Sequence, residues 1–522
     1  MMITLVLVGI ALLVMFVIGF FSMQRASKQA QNLQKRFPTL AKRQKPIVML
    51  IVDSLMTKPL IQAMQAGRAP ALKFLSDQGN LFPKVVSSFP TMSVTIDSTL
   101  LTGTSPNQHQ IFGLNYYDPK QKRIVNFGTG AIESFRVGLK QVLTDSLIHL
   151  NHRYLHANTK TIHEAFDGPT ASINAFVYRG NHSHTLHIPW LMRQFVGFPP
   201  QLSIKGPALF SFGKLHKLNP HTRHDPIWHR YGGNDRFTTD ELTFLIRKQL
   251  LPPFTIAYFP SNDDVVHQKG SSVLKGIERF DKSLQSILNS YASWKEALEQ
   301  TIFIVLGDSG QTDTIANQQQ AFVDLKQLLA PYQITPVQSQ RPQAGDQLVC
   351  CVNERMAYLY LLDEQLSFTE VVNRLKQEKR IDLIAWKENG HFHVVSGEQK
   401  GGLRFSAGGE FVDEYQQTWS LEGNLAILDL SVNDHTISYG IYPDALSRLQ
   451  GVSETYERVI ILTAAPGYEL IFGPSPKHRG ASHGSLHYLD SYVPMIVAGT
   501  DSTPRYSRII DIKAWLLDLL QT

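Results

Sequence analysis

Three short apolar runs in this chain of 522 residues lead into a carboxylate. Val52 runs into Asp53, Leu306 and Gly307 run into Asp308, and Phe259 is followed four residues later by Asp263. In open α/β sheets, ligands sit beyond the carboxyl ends of the strands. An aspartate there commonly caps the next helix. Three that converge repel one another unless a cation lies among them. The run Asp263-Asp264-Val265-Val266-His267 sets an acid and an imidazole four apart, and His483 stands in the Gly/Ser-rich stretch Gly480–Ser485. Mixed Asp/His ligation suits zinc, manganese or iron rather than calcium.

A fourth element runs from Phe89 to Gly103, a Pro-Thr turn followed by a helix-like apolar stretch that ends in Thr102-Gly103. A hydroxyl at the start of that helix would stand among first-turn amides, where anions bind. Metal coordination would turn the same hydroxyl into a nucleophile. Simple capping is the alternative for this segment on its own.

The elements that must position these groups follow from periodicity. Ile47–Val52, Ile173–Tyr178, Thr255–Phe259, Ile302–Leu306, Val459–Thr463 and Pro494–Ala498 are short, continuous and β-rich. Such runs predict strands buried on both faces, hence a parallel sheet under helices. Helix-like stretches lie between them, at Ala71–Asp77, Thr239–Gln249, Ser272–Ser290 and Ile509–Leu520. The expected fold class is α/β, a doubly wound, mostly parallel sheet flanked by helices. A His-rich insertion spans about 135–235, and a strand-rich cap with Gly-Gly turns spans 350–455.

Charge and cysteine content narrow the class. The net charge is +6, but residues 1–52 hold seven basic side chains and no acidic one, which leaves 43 basic against 44 acidic residues in the rest. A duplex-binding protein would carry its basic excess on the folded body, so nucleic-acid binding is not expected. The only cysteines, Cys350 and Cys351, are adjacent, which excludes a disulfide framework. Ile3–Phe21 is an uncharged run about 28 Å long as a helix, and no positive region precedes it. It predicts a single-pass anchor over 1–24, a basic stalk over 25–45, contact with the lipid bilayer, and a membrane protein whose side is open.

Taken together, the motifs resemble the type I phosphodiesterase/nucleotide pyrophosphatase family of the alkaline phosphatase superfamily. Asp53 comes first, then Pro90-Thr91-Met92-Ser93 with Thr102-Gly103, then Asp263 to His267, Asp308-Ser309-Gly310 and Ser482-His483-Gly484, in that family's order. The resemblance spans roughly residues 45 to 520. It implies an alkaline-phosphatase-like core over 46–349 and 456–522. It further implies two divalent ions, zinc with manganese as the alternative. Asp263, His267 and His483 would hold one; Asp53, Ser93 and Asp308 would hold the other. Ser93 would be the catalytic nucleophile and would form a covalent phospho-enzyme.

Two departures bear on the second ion. Ser309 stands where the family has histidine, and Thr95-Ile96 stand where many members have Pro-Asn. Asp97, four residues after Ser93, would share its helical face and could compensate, or could face solvent or cap. Three functions are consistent with this pattern. One is a membrane-anchored hydrolase of phosphoric esters, with a nucleotide or a lipid- or sugar-linked phosphate as substrate. The second is a phosphotransferase or mutase on such phosphates. The third is a metal-degenerate binding protein.

Overall fold

The computed structural model describes residues 45–521 apart from 130, 223–232 and 454–455. The anchor and stalk read at 1–24 and 25–45 lie outside the described residues, Lys45 excepted. Among the described residues, no helix is long and apolar enough to cross a membrane.

Six strands in the first two-thirds of the chain build most of the central sheet: β1 (Ile47–Val52), β2 (Gly79–Val86), β3 (Thr170–Ile173), β4 (Leu209–Ser211), β5 (Phe254–Phe259) and β6 (Ile302–Gly307). In a second sheet, β7 (Leu348–Asn353), β8 (Met356–Leu361) and β9 (Val459–Ala464) lie side by side. The chain then returns to the central sheet as β10 (Tyr492–Ala498). The central order is β2-β10-β6-β1-β5-β3-β4. Strands β6, β1, β5, β3 and β4 are parallel, and β10 runs against both of its neighbours. The sheet is therefore mostly parallel, as the continuous apolar runs predict, with a mixed edge.

All six residues of β1, β5 and β6 are buried. Helices cover them: α1 (Pro70–Asp77), α2 (Ser93–Thr102), α3 (Asp235–Arg247), α4 (Ser261–Lys269), α5 (Lys275–Leu288) and α6 (Ile509–Leu519). Alternate residues of β1 enter two separate cores: Ile47, Met49 and Ile51 pack on one side, Val48, Leu50 and Val52 on the other. That two-sided burial is why the run shows no polar alternation.

Among the described residues, nine strands make the second sheet, which is mainly antiparallel. It includes β9, which periodicity alone assigns to the parallel core. Length and β-richness do not distinguish the two sheets, because β9 is buried along its whole length here too. The second sheet packs against the central body rather than standing off it. The β7–β8 hairpin turn, Glu354-Arg355, reaches the loop that carries His483, where the Arg355 amide donates to the His483 carbonyl at 2.9 Å.

In the His-rich insertion, His182–His187 and Gln201–Gly206 form a hairpin. His184 and His216 each bond a backbone carbonyl, of Pro207 and Phe210. Among the described residues, no histidine of this stretch joins a group able to hold an ion. His224 and His229 lie outside them.

Candidate active site

Register brings the first acids together. Val52 pairs with both Gly307 and Phe259, so Asp53, Asp308 and the start of α4 leave three adjacent strands at one level. Ser54 then takes a left-handed backbone, φ 56°, which turns its amide onto Asp308 Oδ1 at 2.8 Å. The Ser309 amide donates to the same oxygen at 2.7 Å. Asn262 donates to the carbonyls of Asp53 and Ser54 and ties α4 to the end of β1.

Asp263 and His267 sit one helical turn apart on α4, with Asp263 Oδ1 and His267 Nε2 separated by 3.1 Å. His267 Nδ1 donates to the Ala481 carbonyl at 2.8 Å, so Nε2 faces the acid. His483 Nδ1 donates to the Thr91 carbonyl, which aims its Nε2 at Asp263 Oδ1, 3.9 Å away. Backbone bonds of this kind orient metal-ligating imidazoles. Gly484 follows, with φ 124° and its α-carbon pressed against the β7–β8 turn; a Cβ there would lie 2.6 Å from the Asn353 carbonyl oxygen. The Gly484 amide donates to Thr91 Oγ1 at 2.7 Å. Two bonds therefore fasten the loop of His483 to the strand-like segment that enters α2. Ser93 is the first residue of α2 and is half-buried, and the helix ends in left-handed Gly103.

The structure adds residues that motif spacing misses. Glu354, at φ 58° in the β7–β8 turn, faces both imidazoles: its oxygens lie 3.8 Å from His267 Nε2 and 3.8 Å from His483 Nε2. Ligand atoms on a common zinc stand about 3.3–3.6 Å apart in a tetrahedron with bonds of 2.0–2.2 Å. The separations from 3.1 to 3.9 Å around His267 and His483 bracket that spacing. His478 stacks on His267 at 4.0 Å and is held by Glu469 at 2.7 Å. Ser54 Oγ and Gln311 Nε2 donate to Asp263 Oδ1 at 2.8 and 2.7 Å.

The electrostatics divide the site in two. On the histidine side, burial opposes charge, but opposite charges outweigh it. Asp263 is held below the usual carboxylate range by His267 and His483. Glu354 is held at about 2 by His483, His478 and His267. The imidazole of His267 is raised to about 10 by Asp263 and Glu354. On the other side the acids oppose one another. Burial and then Asp308 push Asp53 well above its usual range, and burial and then Asp308 do the same to Asp97.

Their oxygens lack partners to match. Tyr258 donates to Asp53 Oδ2 at 2.6 Å, yet Asp53 Oδ1, Asp308 Oδ2 and both Asp97 oxygens have no hydrogen-bond partner among the described residues. Buried acceptors of this kind cost free energy unless something satisfies them. A divalent cation fits the histidine half, where Asp263, His267 and His483 form a group with metal-ligand spacing.

All of these residues fall inside one family match. The model of the type I phosphodiesterase/nucleotide pyrophosphatase family matches residues 47–485. The chain belongs to this family. Membership of the type I phosphodiesterases makes it a hydrolase of phosphoric ester bonds, in a metal-dependent family. No curated protein sequence matches it.

Solved structures share its fold at low identity. Murine ectonucleotide pyrophosphatase/phosphodiesterase 5 is 11% identical with a TM-score of 0.53, over 91% of this chain and 95% of that one. Phosphonoacetate hydrolase from Sinorhizobium meliloti, in complex with phosphonoformate, is 15% identical with a TM-score of 0.54, over the same 91% and 95%. An inactive form of the murine protein in complex with AMP is 12% identical with a TM-score of 0.52, over 92% and 95%.

Proposed function

We propose that this type I phosphodiesterase is a two-metal enzyme in which Ser93 attacks the phosphorus of a phosphate diester. The observation that carries the reading is the meeting of Asp53, Asp263, His267, Asp308 and His483 beyond the carboxyl ends of β1, β5 and β6, with the half-buried Ser93 at the first turn of α2, two residues after the Thr91 that holds His483. Asp263, His267 and His483 would hold one ion, and Asp53, Asp308 and Ser93 the other. Divalent ions there would lower the pKa of the Ser93 hydroxyl and draw charge from the phosphoryl oxygens.

The chain's own part follows from its geometry. Ser93 gives up its proton as its Oγ bonds phosphorus, the ester P–O bond breaks, and the leaving alkoxide takes a proton from water. Water then breaks the Ser93–phosphoryl bond and restores the hydroxyl. Thr91, bonded to both His483 and Gly484, keeps the nucleophile in register with the histidine side. Ser93→Ala should lower diester turnover by at least about a thousandfold at unchanged metal content. Unchanged turnover would refute the nucleophile.

The AMP complex of the murine neighbour makes nucleotide diesters the first substrates to assay. An apolar cavity of about 270 Å³ bordering Tyr258, walled by Leu143, Leu147, Phe176, Met192 and Phe212, favours an aromatic or lipid substituent on the phosphate. The phosphotransferase reading shares the phosphoserine and is separated by adding an alcohol acceptor: a new diester instead of inorganic or monoester product supports transfer. Absence of turnover with every metal supports the binding-protein reading. The run Ile3–Phe21 serves as the membrane anchor in this proposal, and fractionation of the full chain against one starting at Lys45 tests it.

A further inference from the structure

The histidine side carries one carboxylate more than the motifs supply. Glu354 Oε1 lies 3.8 Å from His267 Nε2, and Glu354 Oε2 lies 3.8 Å from His483 Nε2. Asp263 Oδ1 faces the same two nitrogens, at 3.1 and 3.9 Å. Each ring has its Nδ1 tied to a backbone carbonyl and so offers Nε2 alone. An ion held by Asp263, His267 and His483 therefore meets Glu354 as a fourth protein group. Zinc sites with four protein ligands are closed, whereas catalytic ones keep three and leave a position open. An ion that polarises a phosphoryl oxygen needs that position.

Glu354 is also the member of the set with a second place to go. Asp263 Oδ1 is fixed by Ser54 Oγ and Gln311 Nε2. Glu354 stands at the β7–β8 turn, and its Oε2 accepts from Ser482 Oγ at 2.8 Å and from the His483 amide at 3.2 Å. His478 Nδ1 lies 3.8 Å from that oxygen, and buried Glu469 holds the ring in place at 2.7 Å. His267, Glu354 and His478 offer ligand atoms that all lie within 4.8 Å of one another. A carboxylate that lets go of the ion thus stays beside Ser482, the His483 amide and His478, and is not stranded. A phosphate diester carries one negative charge, as the carboxylate does, so exchanging them leaves the charge around the ion unchanged.

We propose that Glu354 is the fourth ligand of the first ion in the resting enzyme and that a phosphoryl oxygen of the substrate takes its place. One metal–carboxylate bond breaks, one bond from the metal to the phosphoryl oxygen forms, and no proton or electron moves. The inference rests on the histidine-side ion of the reading given above. Glu354 is then an internal competitor, which holds the ion while the cleft is empty and sets how strongly a phosphate must bind to enter.

The test titrates inorganic phosphate by calorimetry into the full chain in detergent at saturating Zn²⁺. Glu354→Gln should bind phosphate about tenfold more tightly than the wild type, because the open state is no longer shared with a bound carboxylate. Loss of a negative charge would also tighten phosphate, and Glu354→Asp separates the two causes, since it keeps the charge and shortens the reach. Displacement of a ligand predicts tighter phosphate in both variants. Tightening in Glu354→Gln alone, or in neither, would overturn the exchange. Melting curves of the metal-free variants check their folding. In zinc-loaded crystals a Glu354 oxygen should stand about 2.0–2.2 Å from the ion and should leave it when phosphate is soaked in. Water in that position would overturn the fourth ligand and leave the two-ion reading standing. Zinc absent from Asp263, His267 and His483 would overturn that reading and this proposal with it.

Discussion

A proton must leave His267 before the first ion can enter. Without metal, the Asp263 and Glu354 carboxylates overcome burial and raise this imidazole to about 10. At pH 7 that leaves roughly one molecule in a thousand with a free Nε2, which weakens apparent Zn²⁺ affinity about a thousandfold, ~4 kcal/mol. Each pH unit up to about 10 should restore a factor of ten. The first equivalent of Zn²⁺ should release close to one proton per chain at pH 7. Isothermal titration calorimetry of the metal-free protein, in buffers of different ionisation heat, measures both quantities. The same linkage fixes a stability profile. The His267 contribution is complete below its unfolded value of 6.5 and is lost as pH rises to about 10. The Glu354 contribution is complete above 4.5 and is lost as pH falls to about 2. The metal-free chain should therefore be most stable between pH 4.5 and 6.5, and saturating Zn²⁺ should move the optimum upward. A first ion that binds with no proton release and no pH slope would refute the reasoning.

Other perturbations separate the parts of the site. Glu354→Gln should weaken the first ion about tenfold to a hundredfold in chelator competition; unchanged retention would limit Glu354 to orienting the loop of His483. Tyr258→Phe removes the hydrogen bond to Asp53 Oδ2 and should destabilise the metal-free protein by about 1–3 kcal/mol in urea. An unshifted midpoint would mean that the bond contributes nothing. Asp490→Asn leaves Arg355, only 1% exposed, without its carboxylate, and should lower stability by about 3–5 kcal/mol. A loss below about 1 kcal/mol would show that the pair is dispensable.

The inner strands of the central sheet were legible because they are buried on both faces, and a continuous apolar run is the imprint of that burial; the part-exposed edge strand β2 leaves no such run, and the run at Ile173–Tyr178 meets β3 at Ile173 alone. β1, β5, β6 and β10 coincide with such runs, and each of the six expected site residues lies on or just beyond the element its motif implies. The second sheet was harder to separate, since β9 is as apolar as β1 and topology alone distinguishes them. Glu354 escaped notice for a different reason. Its chemistry depends on a turn between two apolar runs that approaches His483, 129 residues later, and no local spacing encodes such a meeting. A charged residue at a two-residue turn between buried strands was the available signal. His478 and Gln311 act through Glu354 and Asp263, so their roles exist only in the assembled fold. Asp97 was visible as a same-face neighbour of Ser93, but that it is buried rather than solvent-facing shows only in the fold.

Arg355 bonds Thr312 and the Asp490 carboxylate, and Asp490 in turn receives the Ser485 amide and hydroxyl. One buried lock therefore clamps the β7–β8 turn to the loop of His483. The bonds of this lock and the carboxylate that faces His267 and His483 all come together at the four residues Asn353–Met356. A transplant that replaced them would strip Glu354 from the histidines, unpair Asp490 and open the cleft Gly484 needs. Any exchange of the second sheet is thus constrained at one point: the hairpin turn must be carried over intact.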